Sequence, residues 1–389
     1  MTEDSDAEPL RRNVLKMGGA ALTGTLLAGC ASSLGTTDST DDDTTTAGDG
    51  STTTGESDDG PYSVSMVPVG DVEFESVPET WVANNGSWAD MGVALGLEPP
   101  KGLWLPSRYH TQYYDEIPGV SVDKSDMTEL WGDSGLGKEQ FYALDADVHV
   151  MDPNFLINRG QWKESDVDEI RERVGPMFGN CIYAQHYPWH EDYRYYSLYE
   201  GFEKLAQVFQ RTERYEAFEA IHDDFQQNLA PVVPPASDAP SAAVLWGVGD
   251  QPEEYYPYII GDGTGFKHLR DLGVHDALAD TDIKDFHGSR GSIDVETLLE
   301  VDPEVLLLRG YEAKTESEFQ DTVVSYLEGH STASDLTAVQ NGDVYRAGGL
   351  YQGPITNMVL TERTAAQLYG HDGELFDRER VADVVDGNL

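Results

Sequence analysis

Apolar and polar positions change their spacing repeatedly along this chain, and the changes mark elements. Thr80-Trp81-Val82-Ala83 is a short apolar run of strand type, residues 88–97 carry a helical pattern ending at Gly96, and Gly102-Leu103-Trp104-Leu105 is a second strand. Lys138-Glu139-Gln140-Phe141-Tyr142-Ala143-Leu144 then predicts a helix that turns tightly into the strand Ala146-Asp147-Val148-His149-Val150-Met151. Met177, Phe178, Ile182 and Tyr183 predict a further strand around Cys181.

Beyond Thr212, read as an N-cap, the apolar residues Tyr215, Phe218, Ile221, Phe225 and Leu229 recur at helical spacing until Pro231, Pro234 and Pro235 stop them. After that helix the theme returns. Ala242-Ala243-Val244-Leu245-Trp246 is a strand, residues 265–272 a helix, and residues 293–299 a helix feeding the strand Glu304-Val305-Leu306-Leu307-Leu308. Asp343-Val344-Tyr345-Arg346 is a short strand and residues 357–368 a closing helix. Alternation of this kind predicts an α/β fold with mostly parallel sheets, in two similar halves with a single long helix between them. The expected boundaries are an N-terminal lobe at 61–211, a connecting helix at 212–230 and a C-terminal lobe at 231–389.

Ahead of the lobes the pattern is that of an address. Arg11-Arg12-Asn13-Val14-Leu15-Lys16 precedes an uncharged stretch, residues 17–28, too short to span a bilayer, and Leu27-Ala28-Gly29-Cys30 follows. The paired arginines resemble the twin-arginine export signal and the second motif resembles a lipoprotein cleavage box. The expectation is a signal peptide at 1–29, lipid on Cys30, and a Ser/Thr/Asp/Gly tether over 30–60 holding the lobes at the outer face of the cell membrane. The only other cysteine, Cys181, is then unpaired and reads as a buried, inert thiol.

Charge narrows the partners. Asp and Glu number 71 against 25 Lys and Arg, a formal net charge of -46, so a nucleic-acid backbone would be repelled. Disorder does not explain the acid, because 20 Tyr, 12 Phe and 7 Trp supply a core. Adaptation to high salt, of haloarchaeal kind, does, since concentrated ions screen the self-repulsion.

Two internal copies carry a resemblance. Glu139-Gln140-Phe141-Tyr142-Ala143-Leu144-Asp145-Ala146-Asp147-Val148 and Glu296-Thr297-Leu298-Leu299-Glu300-Val301-Asp302-Pro303-Glu304-Val305 both resemble the "E-x-L-L-x-L-x-P-D-V" unit of class III substrate-binding proteins, and Asn341-Gly342-Asp343-Val344-Tyr345 resembles their "K-x-G-R-V-Y" strand. These proteins capture iron-siderophore complexes, haem or cobalamin for ABC importers. The resemblance implies two α/β lobes joined by a single long helix with a ligand cleft between them, a monomeric receptor rather than an enzyme, a permease dimer with its ATPase subunits as partner, and membrane contact through lipid alone. It also implies that Glu139 and Glu296 dock on the permease. Read without it, both are first-turn acids that favour the helix dipole.

Ligand residues are sought in loops after strands, where clefts between open sheets lie. That nominates Asn84, Asn85, Arg108, Tyr109, His110 and Asn154 in the first half, and Trp246, Tyr255, Tyr256, Tyr258, Arg309, Tyr311, Tyr351 and Gln352 in the second. Rings with a few arginines suit a large, partly anionic ligand, best a ferric chelate such as a siderophore complex. For haem, Tyr109 or His110 would be the axial ligand. No cofactor and no metal site is assigned, since His186 and His190 flank Pro188, which breaks the helix that i,i+4 ligation needs. Gly261-Asp262-Gly263-Thr264-Gly265 lacks the spacing of a nucleotide loop, and no catalytic motif appears, which leaves a secreted hydrolase or a structural surface protein as the competing classes.

Overall fold

The first described element is a hairpin whose two strands alternate strictly. Strands β1 (Tyr62–Met66) and β2 (Gly70–Phe74) pair antiparallel with Tyr62 opposite Phe74, and turn Val64, Met66, Val72 and Phe74 inward, with half-buried Tyr62 stacked on Phe74, while Ser63, Ser65, Asp71 and Glu73 face out. The computed structural model describes residues 60–132, 135–185 and 187–389. The signal peptide, the lipidation site Cys30, the tether up to residue 59 and His186 lie outside the described residues.

The first sheet is four-stranded and wholly parallel, in the order β5 (Thr128–Glu129), β4 (Gly102–Leu103), β3 (Trp81–Ala83), β6 (Val148–Val150). Every residue of β3 and β6 is buried, as befits strands covered on both faces. Helix α1 (Gly86–Ala94) follows β3, α2 (Lys138–Leu144) precedes β6, and α3 (Pro153–Asn158) and α4 (Glu164–Arg173) follow it. The strand expected around Cys181 does not form. Only an isolated bridge from Met177 to His149 appears there, because residues 180–184 are held instead by turns and side-chain hydrogen bonds.

Helices α5 (Leu198–Val208) and α6 (Thr212–Leu229) lie between the sheets in sequence. The 18 residues of α6 make a rod about 27 Å long, and its buried stripe Phe218, Ile221, Phe225 and Leu229 packs edge-on to Phe202 and Phe376. Thr212 is the first helical residue rather than the cap; Arg211 holds that position without a side-chain capping bond.

The second sheet runs β10 (Ile293–Asp294), β8 (Glu254–Tyr258), β7 (Ser241–Trp246), β11 (Val305–Arg309), β12 (Val344–Arg346), with β9 (His275–Asp276) also beside β7. It is mixed: β7, β9, β11 and β12 are parallel, β8 runs antiparallel to β7, and β10 pairs antiparallel with β8 and so runs with the others. Helices α7 (Lys267–Asp271), α8 (Phe286–Ser289), α9 (Val295–Val301), α10 (Glu316–Phe319), α11 (Ser325–Gly329) and α12 (Thr337–Asn341) cover it, and α13 (Pro354–Tyr369) and α14 (Arg378–Asp386) close the chain.

The two internal copies fold alike. Helices α2 and α9 each end on an aspartate in the left-handed region, Asp145 at φ 44° and Asp302 at φ 46°, before a strand begins. Short polar side chains tolerate that conformation best after glycine. The next acid in each copy then reaches the neighbouring strand: Asp147 Oδ2 accepts the Thr80 amide at 2.7 Å ahead of β3, and Glu304 Oε2 accepts the Ser241 amide at 2.8 Å at the start of β7. One hydrophobic cluster contains residues of both halves, so residues 60–389 form one compact unit. A second cluster belongs to the C-terminal sheet alone. Among the described residues no helix is long and apolar enough to cross a membrane.

Candidate functional site

Strand ends decide what gathers between the halves. Arg108 closes a short 3-10 turn, Pro106–Arg108, after β4; Arg159 caps α3 after β6; Trp246 ends β7; Tyr351 lies between β12 and α13. Arg290 caps α8 in the left-handed conformation at φ 56°, which turns it back across the helix. Arg108 lies 4.7 Å over the ring of Trp246 and its charge acts on the Tyr351 hydroxyl, while Arg290 lies 5.6 Å over Tyr187 and 5.0 Å over Phe286. Burial, followed by the like charge of Arg290, pushes the Arg159 guanidinium below its ordinary pKa. In a chain of net charge -46, three guanidiniums thus surround one set of rings.

Those rings form a packed floor. Tyr183 meets Tyr351 edge-on at 5.3 Å, Tyr187 stacks on Trp189 at 4.3 Å, and Tyr187 and Tyr258 each meet His287 at 5.1 Å. Tyr183, Tyr187, Tyr258 and Tyr351 are buried, whereas Arg108, Arg159, Trp246, Tyr256 and Phe286 are half-buried and Arg290 is exposed. The groove expected between the halves is therefore narrow, and its accessible part is a rim of cations and ring edges. Cavities of about 290, 430 and 420 Å³ lie elsewhere, against α6, beside Asp285 and next to Glu304.

Beneath Tyr258 sits a buried cation. Arg309 is fully enclosed, gives Nη2 to the Gly265 carbonyl at 2.6 Å and lies against the rings of Tyr258 and Phe266. Its Nε and Nη1 lack hydrogen-bond partners, and no carboxylate pairs with it among the described residues. Burial lowers its pKa to about 10, which leaves it charged at neutral pH.

Of the residues nominated from sequence, Arg108, Trp246, Tyr256, Tyr258 and Tyr351 come together here, with Arg309 behind them and half-buried His110 on the flank, near Gly349. The others are placed differently. Tyr255 and Tyr311 belong to the C-terminal core, with hydroxyls given to the carbonyls of Pro252 and Gly249. Successive strand residues face opposite ways, so Tyr255 turns from the site that Tyr256 and Tyr258 face. Asn85 caps α1 by accepting the Ser87 amide, and Asn84 accepts from Asn85 Nδ2, so both are buried framework residues. Tyr109 is buried and shares a hydrogen bond with Tyr114 at 2.6 Å. Gln352 is consumed by Gly265, Gly349 and Asn357, and Asn154 lies in the first turn of α3, where its amide is capped by Asp152.

Two carboxylates fasten the halves. Asp90 on α1 accepts the amides of Ile355 and Thr356 at the start of α13 and the hydroxyls of Thr356 and Tyr114, yet burial raises its pKa to about 6. Glu312 is gripped by Arg363 at 2.9 and 3.1 Å and by the Gly348 amide. Burial alone would raise its pKa, but the Arg363 charge and hydrogen bonds hold it down to about 2.

The periplasmic binding protein family matches residues 148–349, over half of the 389 residues. The chain belongs to the periplasmic binding protein family. Like other periplasmic binding proteins it is a binder rather than an enzyme, and its place is outside the cytoplasm. No curated protein matches it. Among solved structures, the heme binding protein HmuT superposes with a TM-score of 0.56 at 18% identity, over 82% of this chain and 94% of that one. CeuE of Helicobacter pylori with Ni(II) bound gives 0.56 at 12% identity over 84% and 97%. The Fe3+-Desferal-bound siderophore binding protein FhuD of Vibrio cholerae gives 0.50 at 17% identity over 75% and 97%. At such identities the likeness is one of fold.

In this periplasmic binding protein, Glu139 and Glu296 occupy equivalent first-turn positions of α2 and α9, and both are exposed. Sequence reading missed Arg159, Tyr187, Phe286, His287 and Arg290, which lie on irregular stretches or helix ends without a motif. The one signal available was the scarcity of arginine in so acidic a chain.

Proposed function

We propose that this periplasmic binding protein is the lipid-anchored receptor of an ABC importer, and that it captures an anionic metal chelate, of the ferric siderophore kind, at the rim between its halves. The observation that carries this reading is the convergence of Arg108, Arg159 and Arg290 on the rings of Trp246, Tyr187, Phe286 and Tyr351. Like charges brought together in a half-buried place repel, and an anion entering there relieves the repulsion. Rings supply stacking area and guanidiniums pair with carboxylate or metal-bound oxygen. Structural neighbours described as a siderophore binding protein with Fe3+-Desferal, a heme binding protein and a protein with Ni(II) bound agree with a metal-bearing ligand. Haem is the second choice: of the two candidate axial ligands, Tyr109 has its hydroxyl already hydrogen-bonded to Tyr114, and His110 stands half-buried on the flank.

The loaded receptor then docks through Glu139 and Glu296, two exposed acids on matching helices that suit a two-fold permease. Delivery falls to that permease and its ATPase subunits. The deciding experiment is mass spectrometry of whatever co-purifies in molar salt, followed by titration with ferric catecholate, carboxylate and hydroxamate chelates, haem and cobalamin. Tighter binding of anionic chelates than of a neutral hydroxamate is the expected result. Equal binding of both, or binding unchanged in R159A and R290A, would reject the site.

A further inference from the structure

Asp152, Cys181 and His190 come from two separate parts of the first half, and their ligand atoms lie within 4.8 Å of one another. Asp152 follows β6 and caps α3 with its side chain; Cys181 and His190 sit in a long stretch, residues 175–196, that forms no helix and no paired strand among its described residues. Stretches of that length without regular structure inside a compact domain are uncommon, and something must hold them. Here Phe178, Cys181, Tyr183, Tyr187 and Tyr196 are all buried, so the stretch is well fixed despite its irregular backbone.

Cys181 Sγ lies 3.5 Å from Asp152 Oδ2, and Tyr193 Oη lies 2.6 Å from the same oxygen. The His190 ring stacks flat on Tyr193 at 4.1 Å, and its Nδ1 is 2.7 Å from the Tyr195 hydroxyl. From these residues we infer a second site, independent of the chelate site, in which Asp152, Cys181 and His190 hold a divalent cation of the zinc class. With metal-sulfur bonds of about 2.3 Å and metal-oxygen or metal-nitrogen bonds of about 2.0 Å, tetrahedral ligand atoms stand roughly 3.5 Å apart. The sulfur-oxygen pair already has that spacing, and the histidine closes on it by a shift of up to about 1.3 Å.

One thiolate, one imidazole and one carboxylate form a donor set that zinc accepts, while hard ions such as magnesium or calcium avoid the sulfur. Tyr195 on the other ring nitrogen is the kind of partner that orients a ligating histidine, the Tyr193 hydroxyl hydrogen-bonds the ligating carboxylate, and a water fills the fourth position. Ligation ties the irregular stretch to the end of β6. Because Tyr187 and Trp189 stack on one another between Cys181 and His190, the cation also fixes one wall of the chelate site.

The test is metal analysis of the full chain, purified without added metal, stripped, and then offered Zn2+ or Co2+ in the same salt. One equivalent of zinc is expected, along with a thiolate-to-cobalt charge-transfer band and the visible bands of tetrahedral cobalt. C181S should lose the charge-transfer band. H190Q, which leaves the buried thiol in place and so guards against misfolding, should weaken zinc by at least about tenfold while circular dichroism stays unchanged. Failure of the stripped wild-type chain to take up either ion overturns the inference, as does zinc binding that is undiminished in folded H190Q. Neither result touches the chelate reading, which is measured with a different ligand.

Discussion

The Tyr113 hydroxyl donates to Glu312 Oε2 at 2.5 Å, joining residues 199 positions apart and linking the two halves through one carboxylate. The same group receives both Nη atoms of Arg363 and the Gly348 amide, so four donors converge on a side chain that solvent hardly reaches.

Removing that carboxylate leaves the half-buried Arg363 without its ion partner. E312A should therefore lose about 3 to 5 kcal/mol of stability, against about 1 kcal/mol for Y113F, which deletes a single hydrogen bond. Denaturant unfolding in molar salt measures both. Since Glu312 is depressed from 4.5 to about 2, its contribution is complete above the unfolded value and disappears as pH falls from 4.5 toward 2. An E312A chain should show a flatter acid limb over that window than the wild type.

Asp90 has the opposite sign. Its pKa is raised from 3.8 to about 6, so the folded state holds the proton more tightly than the unfolded chain. Its stabilising effect is fully present below 3.8 and is lost as pH rises through 6. The difference in unfolding free energy between wild type and D90N should shift in favour of the wild type on going from pH 7 to pH 4. A difference that does not vary with pH would contradict the raised value.

At the chelate site, R159A and R290A should each weaken an anionic ferric chelate about tenfold or more, as expected on deleting a partly desolvated charge partner. Y255F is the internal control. Its hydroxyl faces Pro252 in the core of the C-terminal sheet, so ligand affinity should not change. Fluorescence titration of the ring cluster reads all three variants.

Charge reversal at Glu139 and Glu296 should slow uptake by the intact importer and leave chelate affinity as it was, because both residues are exposed and stand on α2 and α9 rather than at the rim. Uptake that stays normal in the double variant E139K/E296K would remove them from the docking surface.

A net charge of -46 predicts a fold that depends on salt. Lowering the salt from molar to about 0.01 M lengthens the screening distance from roughly 3 to 30 Å, so acids across the whole surface begin to repel one another. The midpoint of thermal unfolding should fall steeply over that range and recover when salt is restored.

Local pattern carried the fold class. The strands Trp81–Ala83, Val148–Val150, Ser241–Trp246 and Val305–Arg309, together with the helices ahead of the second and fourth, were legible because burial on both faces and helical spacing are written in consecutive residues. The repeated unit was legible for the same reason, down to the aspartate that ends each helix. β8 was not. Pro257 argues against a strand, and it is tolerated because β10 pairs only Tyr255 and Glu254, leaving the proline's missing amide on an open edge. Had that strand been recognised, its alternation would have separated Tyr255 from Tyr256 and Tyr258.

What the sequence determined alone was the order of elements, the two similar copies and the acidic surface, all of which depend on neighbours in the chain. Only the tertiary structure decided which side chains meet. Arg108, Arg159 and Arg290 converge because three loops end at one place, and Asp152, Cys181 and His190 assemble because an irregular stretch folds back on the end of β6. Such contacts depend on where the chain returns in space, and no periodicity along it records that return.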